Sequence, residues 1–116
     1  MRLNKLQQTA VSALEDIKAS DIKVLDVRKI TSFYDSMIIA SAESNRQAKA
    51  LAHHVRDKLK ESGAAIIGVE GEESGEWVLV DCGDIVVHIM QPAIRAYYNL
   101  EELWQVSAPK RRAKAA

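Results

Sequence analysis

The chain has 116 residues, 47% hydrophobic and 28% charged: enough for one domain with its own core, and too apolar for bulk disorder. No apolar run exceeds four residues, which rules out a membrane span, and the single cysteine, Cys82, rules out an internal disulfide or a multi-cysteine zinc site. Sixteen basic and sixteen acidic side chains cancel, yet residues 70–104 hold eight acidic groups against Arg95 alone, which argues against a nucleic-acid surface there.

In chain order, Leu3, Leu6, Ala10, Ala13, Leu14 and Ile17 fall at helical spacing, so residues 3–19 read as an amphipathic helix that Ser20-Asp21 interrupts. Residues 24–28 alternate as a half-buried strand, with Leu25 and Val27 on one face. A connection over 31–35 leads to a short apolar strand, Met37 to Ser41. Ser44 and Gln47 predict a capping box for a helix whose stripe is Ala48, Leu51, Ala52, Val55 and Leu59, with Gly63 as its stop. Ala65 to Val69 reads as a third strand, and 71–75 as an exposed turn.

Glu76 to Asp81 and Asp84 to Met90 are predicted as a hairpin looped at Cys82-Gly83. Pro92 then opens a helix through Ile94, Arg95 and Tyr98, and Leu100, Leu103 and Trp104 close the fold as a last helical turn. From Ser107 the chain reads as a flexible basic tail. The expected architecture is one α/β domain over 1–106, a mixed sheet of about five strands flanked by helices, with a tail over 107–116. The first twenty residues show neither an apolar h-region nor Arg enrichment, so the cytoplasm is the expected location.

The hairpin concentrates the chemistry. With Cys82-Gly83 as the loop, Asp81 faces Asp84, Leu79 faces Val86 and Trp77 faces His88; a loop shifted by one residue would change these pairs. One face is wholly aliphatic (Val78, Val80, Ile85, Val87, Ile89) and must be core. The other mixes Trp77, Leu79, Asp81, Asp84, Val86, His88 and Met90. Three readings compete for it. Trp77 can be covered by the chain's own helices, with His88 a satisfied histidine. Trp77 can anchor a docking patch with an acidic rim. Asp81, Asp84 and His88 can be metal ligands or acid–base groups of a small enzyme. Composition alone ranks them in that order, because carboxylates beside tight loops serve turns as often as chemistry. His53-His54 diverge by about 100° on a helix, a poor chelating geometry. Cys82 has no base beside it, and Gly68 to Gly75 lacks the helix and lysine of a phosphate loop.

Several stretches recur together: Leu25-Asp26-Val27-Arg28, Thr31-Ser32-Phe33 with Asp35, Ser44-Asn45-Arg46-Gln47, and Gly68 with Glu70-Gly71. They continue as Gly75-Glu76-Trp77-Val78-Leu79-Val80-Asp81, Gly83-Asp84-Ile85-Val86-Val87-His88, Pro92, Arg95, and Tyr98 with Leu100-Glu101 and Leu103-Trp104. In this order and spacing the chain resembles the ribosomal silencing factor family, also called Iojap. It departs at Ser36-Met37, where the family more often has aromatic residues.

The resemblance implies a nucleotidyltransferase-like fold without enzymatic activity, cofactor or metal. It implies binding to the large ribosomal subunit through ribosomal protein L-fourteen. That would block joining of the small subunit and repress translation under nutrient limitation. It also suggests a homodimer in the free state. Trp77, Leu79, Asp81, Asp84 and Tyr98 are the expected partner-binding residues: an aromatic anchor with negative charge at its rim, suited to a basic protein. The tail, with Lys110, Arg111, Arg112 and Lys114, is expected to add weak contact to ribosomal RNA phosphates.

Overall fold

Residues 3–107 are described by the computed structural model. Helix α1 spans Lys5–Asp16 and is shorter than its apolar pattern for reasons local to each end. Asn4 caps it reciprocally: its side chain accepts from the Gln7 amide, and the Gln7 side chain accepts from the Asn4 amide, both at 2.8 Å. At the other end Lys18 turns left-handed, with φ 63°, and the Ala19 amide closes back on the Leu14 carbonyl.

Strand β1 (Ser20–Asp26) begins earlier than alternation suggests, because a register shift between Ser20 and Lys23 absorbs the left-handed Asp21. Strand β2 (Ser36–Ser41) is buried along its whole length. Helix α2 (Asn45–Glu61) is capped by Ser44, whose hydroxyl accepts from the Gln47 amide at 3.0 Å. The reciprocal half of the expected capping box does not form. The Gln47 side chain accepts from the Glu43 amide instead and donates to the Ile17 and Lys18 carbonyls, tying α2 to the end of α1. Past the cap at Ser62, Gly63 takes φ 98°, as expected of a helix stop.

Strand β3 (Gly68–Glu70) is shorter than predicted. The Ile67 amide and Gly68 both address Asp81 of strand β4 (Trp77–Asp81), and this irregularity limits regular pairing to three residues. Strand β5 (Ile85–Met90) follows, then helices α3 (Pro92–Tyr98) and α4 (Leu100–Ser107), separated by the left-handed Asn99. The last helical turn predicted from the sequence is thus a helix of eight residues.

The sheet has five strands in the order β1-β2-β5-β4-β3, with β2 and β5 parallel and the other neighbours antiparallel. It is the expected mixed sheet. One face packs on α1 and α2, with Leu14, Leu51, Val55 and Leu59 against Ile38, Val78, Val80, Ile85, Val87 and Ile89. The opposite face is a second, smaller core of Val27, Met37, Ile39, Val86 and Met90, covered by Leu25, Tyr34, Ile94 and Leu100. No helix among the described residues is long and apolar enough to cross a membrane. The expected basic tail beyond Ser107 lies outside the described residues.

Candidate functional site

The β4–β5 hairpin turns one residue later than predicted. The loop is Gly83-Asp84, and the Cys82 amide donates to the Ile85 carbonyl at 3.0 Å. Gly83 supplies φ 87°, and the Asp81 carboxylate accepts from the Gly83 amide at 3.0 Å, an Asx-type turn. The observed pairs are therefore Asp81 with Val86, Leu79 with His88 and Trp77 with Met90. Moving the loop by one residue shifts each partner by two, so every strand side chain keeps its face. Asp84 alone changes place: it leaves the strand face for the exposed loop, where its carbonyl accepts from the Asp35 and Ser36 amides at 2.7 and 3.2 Å.

Trp77 is half-buried and works at both ends of its ring. Its Nε1–H donates to His88 Nδ1 at 2.9 Å, and the Tyr98 ring lies over it with centroids 4.9 Å apart. Tyr97 meets Tyr98 edge-on at 5.0 Å. His88 is 8% exposed, and desolvation lowers its imidazole to about 4. The ring is therefore neutral near neutral pH and free to accept the indole proton at Nδ1. His88 is thus the satisfied buried histidine of the first reading, while part of the Trp77 ring stays exposed among the described residues. Beside Trp77 and Leu79, Glu70 and Gly71 complete a shallow groove toward the β3 edge.

Asp81 sits at the far end of the same face. Its second carboxylate oxygen meets the Tyr34 hydroxyl at 3.4 Å. Burial first, and then the Asp81 charge, raise the Tyr34 hydroxyl above the ordinary tyrosine value, so it remains a donor. The structure thus places Trp77, Leu79 and Asp81 in one row on β4, Tyr98 above the row on α3, and Asp84 around the corner in the loop. Asp81, Asp84 and His88 are not gathered into a ligand set. Among the described residues no three His, Cys, Asp or Glu side chains are placed to hold a metal ion. His53 and His54 pair separately, with Glu72 and Asp16. Cys82 is buried, its thiol raised by desolvation and donating to the Ile85 carbonyl.

Sequence reasoning missed Tyr34, Tyr97 and above all Arg95. The Arg95 side chain is 7% exposed, and it donates to the Asp21 carbonyl at 2.7 Å, to Ser41 Oγ at 2.9 Å and to Glu101 at 3.0 Å. One signal was present: Arg95 is the lone cation of the acidic segment 70–104.

Residues 1–115 match the family described as "Ribosomal silencing factor during starvation". The chain belongs to the ribosomal silencing factor family. It is similar to the ribosomal silencing factor RsfS of Chromobacterium violaceum, 55% identical over 94% of this chain and 89% of that protein. It is also similar to RsfS of Halalkalibacterium halodurans, at 40% identity over 90% of this chain and 89% of the relative. A crystal structure of a Chromobacterium violaceum protein superposes with a TM-score of 0.87 at 53% identity, covering 100% of this chain and 97% of that one. The general role of the silencing factor family, regulating translation in association with the ribosome, therefore extends to this chain. The α/β sheet described above is shared with a solved structure of closely similar sequence.

Proposed function

We propose that this chain binds the large ribosomal subunit through ribosomal protein L-fourteen and there blocks joining of the small subunit. It represses translation under nutrient limitation without catalysing a reaction, and it acts in the cytoplasm, where subunits meet. The observation that carries this reading is the face of β4 and α3. Trp77 and Leu79 border a groove that the described residues leave open, and Tyr98 beside them is 50% exposed. Large rigid aromatics at a partly desolvated spot are what anchors protein interfaces.

The rim is acidic. Asp81 and Asp84 stand at the hairpin end, and Glu70 lines the groove, a charge pattern that favours a basic partner and speeds its encounter. Lys110 to Lys114 of the tail would add salt-sensitive contact to ribosomal RNA. In the free protein a second copy would cover the same aromatic face, so dimer and ribosome would compete for it.

The test uses residues whose loss leaves the core intact. Tyr98→Ala and Asp84→Lys should both melt like the parent. Tyr98→Ala should fail to inhibit association of small and large subunits followed by light scattering, and Asp84→Lys should inhibit more slowly. Full inhibition by Tyr98→Ala would place the contact elsewhere. A metal-dependent reaction through Asp81, Asp84 and His88 finds no support in the site, because the Trp77 indole occupies His88 Nδ1 and the Gly83 amide and Tyr34 hydroxyl occupy the Asp81 carboxylate.

A further inference from the structure

We infer that Arg95 is a positioning residue: its guanidinium holds Tyr98 over Trp77, and the aromatic patch is competent to bind only while that clasp is closed. This rests on the docking role proposed above for the patch. Four chain segments meet at the guanidinium. The start of β1 supplies the Asp21 carbonyl and, at 3.6 Å, its carboxylate; the end of β2 supplies Ser41; α4 supplies Glu101; and α3 carries Arg95 itself.

Two features show that the clasp specifies geometry rather than merely adding cohesion. A buried cation is costly to desolvate, and well-packed apolar groups often serve stability equally well, so one that donates three hydrogen bonds to three separate segments points to a set position. The two left-handed residues nearby, Asp21 with φ 49° and Asn99 with φ 50°, are strained positions held by their surroundings. Asp21 carries the carbonyl that Arg95 grips. Asn99 turns the chain so that Glu101 comes back to it, and the Asn99 amide closes on the Arg95 carbonyl at 2.8 Å.

Helix α3 needs such an anchor. It has seven residues; at its start Gln91 caps no helix amide but ties to Asn45 and the Gly75 carbonyl, and Arg95 is the tie nearer its other end. A helix that short has little stability of its own, so its placement follows from what it is tied to. Arg95 and Tyr98 are three residues apart and share a helix face. The clasp fixes that face over β1 and β2, and the next turn delivers the Tyr98 ring to Trp77 on β4, 4.9 Å away.

Arg95→Met tests the clasp, since it keeps the length and apolar stem while removing the guanidinium. The readout is the Trp77 indole N–H resonance, assigned with Trp77→Phe and sensitive to the ring current of Tyr98. The expected result is a cooperative melt, an indole resonance displaced toward its position in Tyr98→Ala, and binding to large ribosomal subunits weakened at least tenfold. A purely structural defect would behave otherwise: Leu14→Ala, on the opposite face, should lower the melting temperature while leaving both the resonance and binding in place.

An indole resonance unmoved in folded Arg95→Met overturns the proposal. So does undiminished binding by Arg95→Met when Tyr98→Ala binds weakly. Should Arg95→Met fail to fold, the double variant Ser41→Ala/Glu101→Gln removes two anchors and leaves Asp21. The same displacement and loss of binding are expected there, and parental behaviour of either overturns the proposal. If the resonance moves but Tyr98→Ala binds like the parent, the docking role fails while the positioning of Tyr98 by Arg95 stands.

Discussion

Replacing Trp77 by alanine should cost both stability and binding, and the structure sets the size of the first. A fully buried tryptophan hides roughly 150–250 Å². Half-buried as it is, Trp77 forfeits on the order of 100 Å² of apolar contact, about 2.5 kcal/mol at the usual surface coefficient. The lost indole N–H also leaves His88 Nδ1 without its donor in a residue 8% exposed, and an orphaned buried polar atom costs about 1–3 kcal/mol. Trp77→Ala should therefore lose about 3.5–5.5 kcal/mol in all, at the upper end of large-to-small changes in a core. Trp77→Phe keeps most of the ring contact and isolates the hydrogen bond, so about 1–3 kcal/mol is expected. Urea unfolding followed by far-ultraviolet circular dichroism measures both, with the slope checked for constancy. If each variant loses under about 1 kcal/mol, on the scale of an average surface change, the ring and its bond to His88 are not engaged as described.

His88 makes a second prediction through pH. Its folded value of about 4 lies below the ordinary 6.5, so between those values the unfolded chain binds a proton that the folded chain refuses. Stability should fall by about 3 kcal/mol as pH drops through that window, and His88→Gln should flatten the profile there; an unchanged profile would contradict the assignment. Gly71→Ala should destabilise by more than about 1 kcal/mol in thermal melts, because Gly71 holds φ 86° and an added Cβ would overlap the Trp77 carbonyl; a neutral result would mean that the turn is not pinned there. The free protein should scatter light as a homodimer at high concentration, and a constant monomer mass across dilutions would refute the competition between dimer and ribosome.

Much of the fold was legible because periodicity speaks directly about faces. The stripe Ala48, Leu51, Ala52, Val55 and Leu59 and the row Val78, Val80, Ile85, Val87 and Ile89 all belong to the buried cluster under α1 and α2. The hairpin register was misplaced, since either of two adjacent pairs could form the loop and the choice rests on the φ of Gly83 and the Asp81 carboxylate, neither visible as pattern. The faces survived that error because the shift in partners was even. What stayed hidden was long-range. In sequence Arg95 stands out only as the lone cation of an acidic segment, and only the fold brings it to Asp21 and Ser41, 74 and 54 positions away. The mixed face is likewise ambiguous in sequence, for its cover, Ile94 and Leu100, comes from helices whose docking the strands do not announce.

Sedimentation with purified ribosomal subunits through a sucrose gradient tests the central claim most directly. The full chain should migrate with free large subunits and not with small ones, and it should deplete the joined ribosome peak when both are present. A chain that remains at the top of the gradient, or that rides on joined ribosomes without depleting them, would contradict the account.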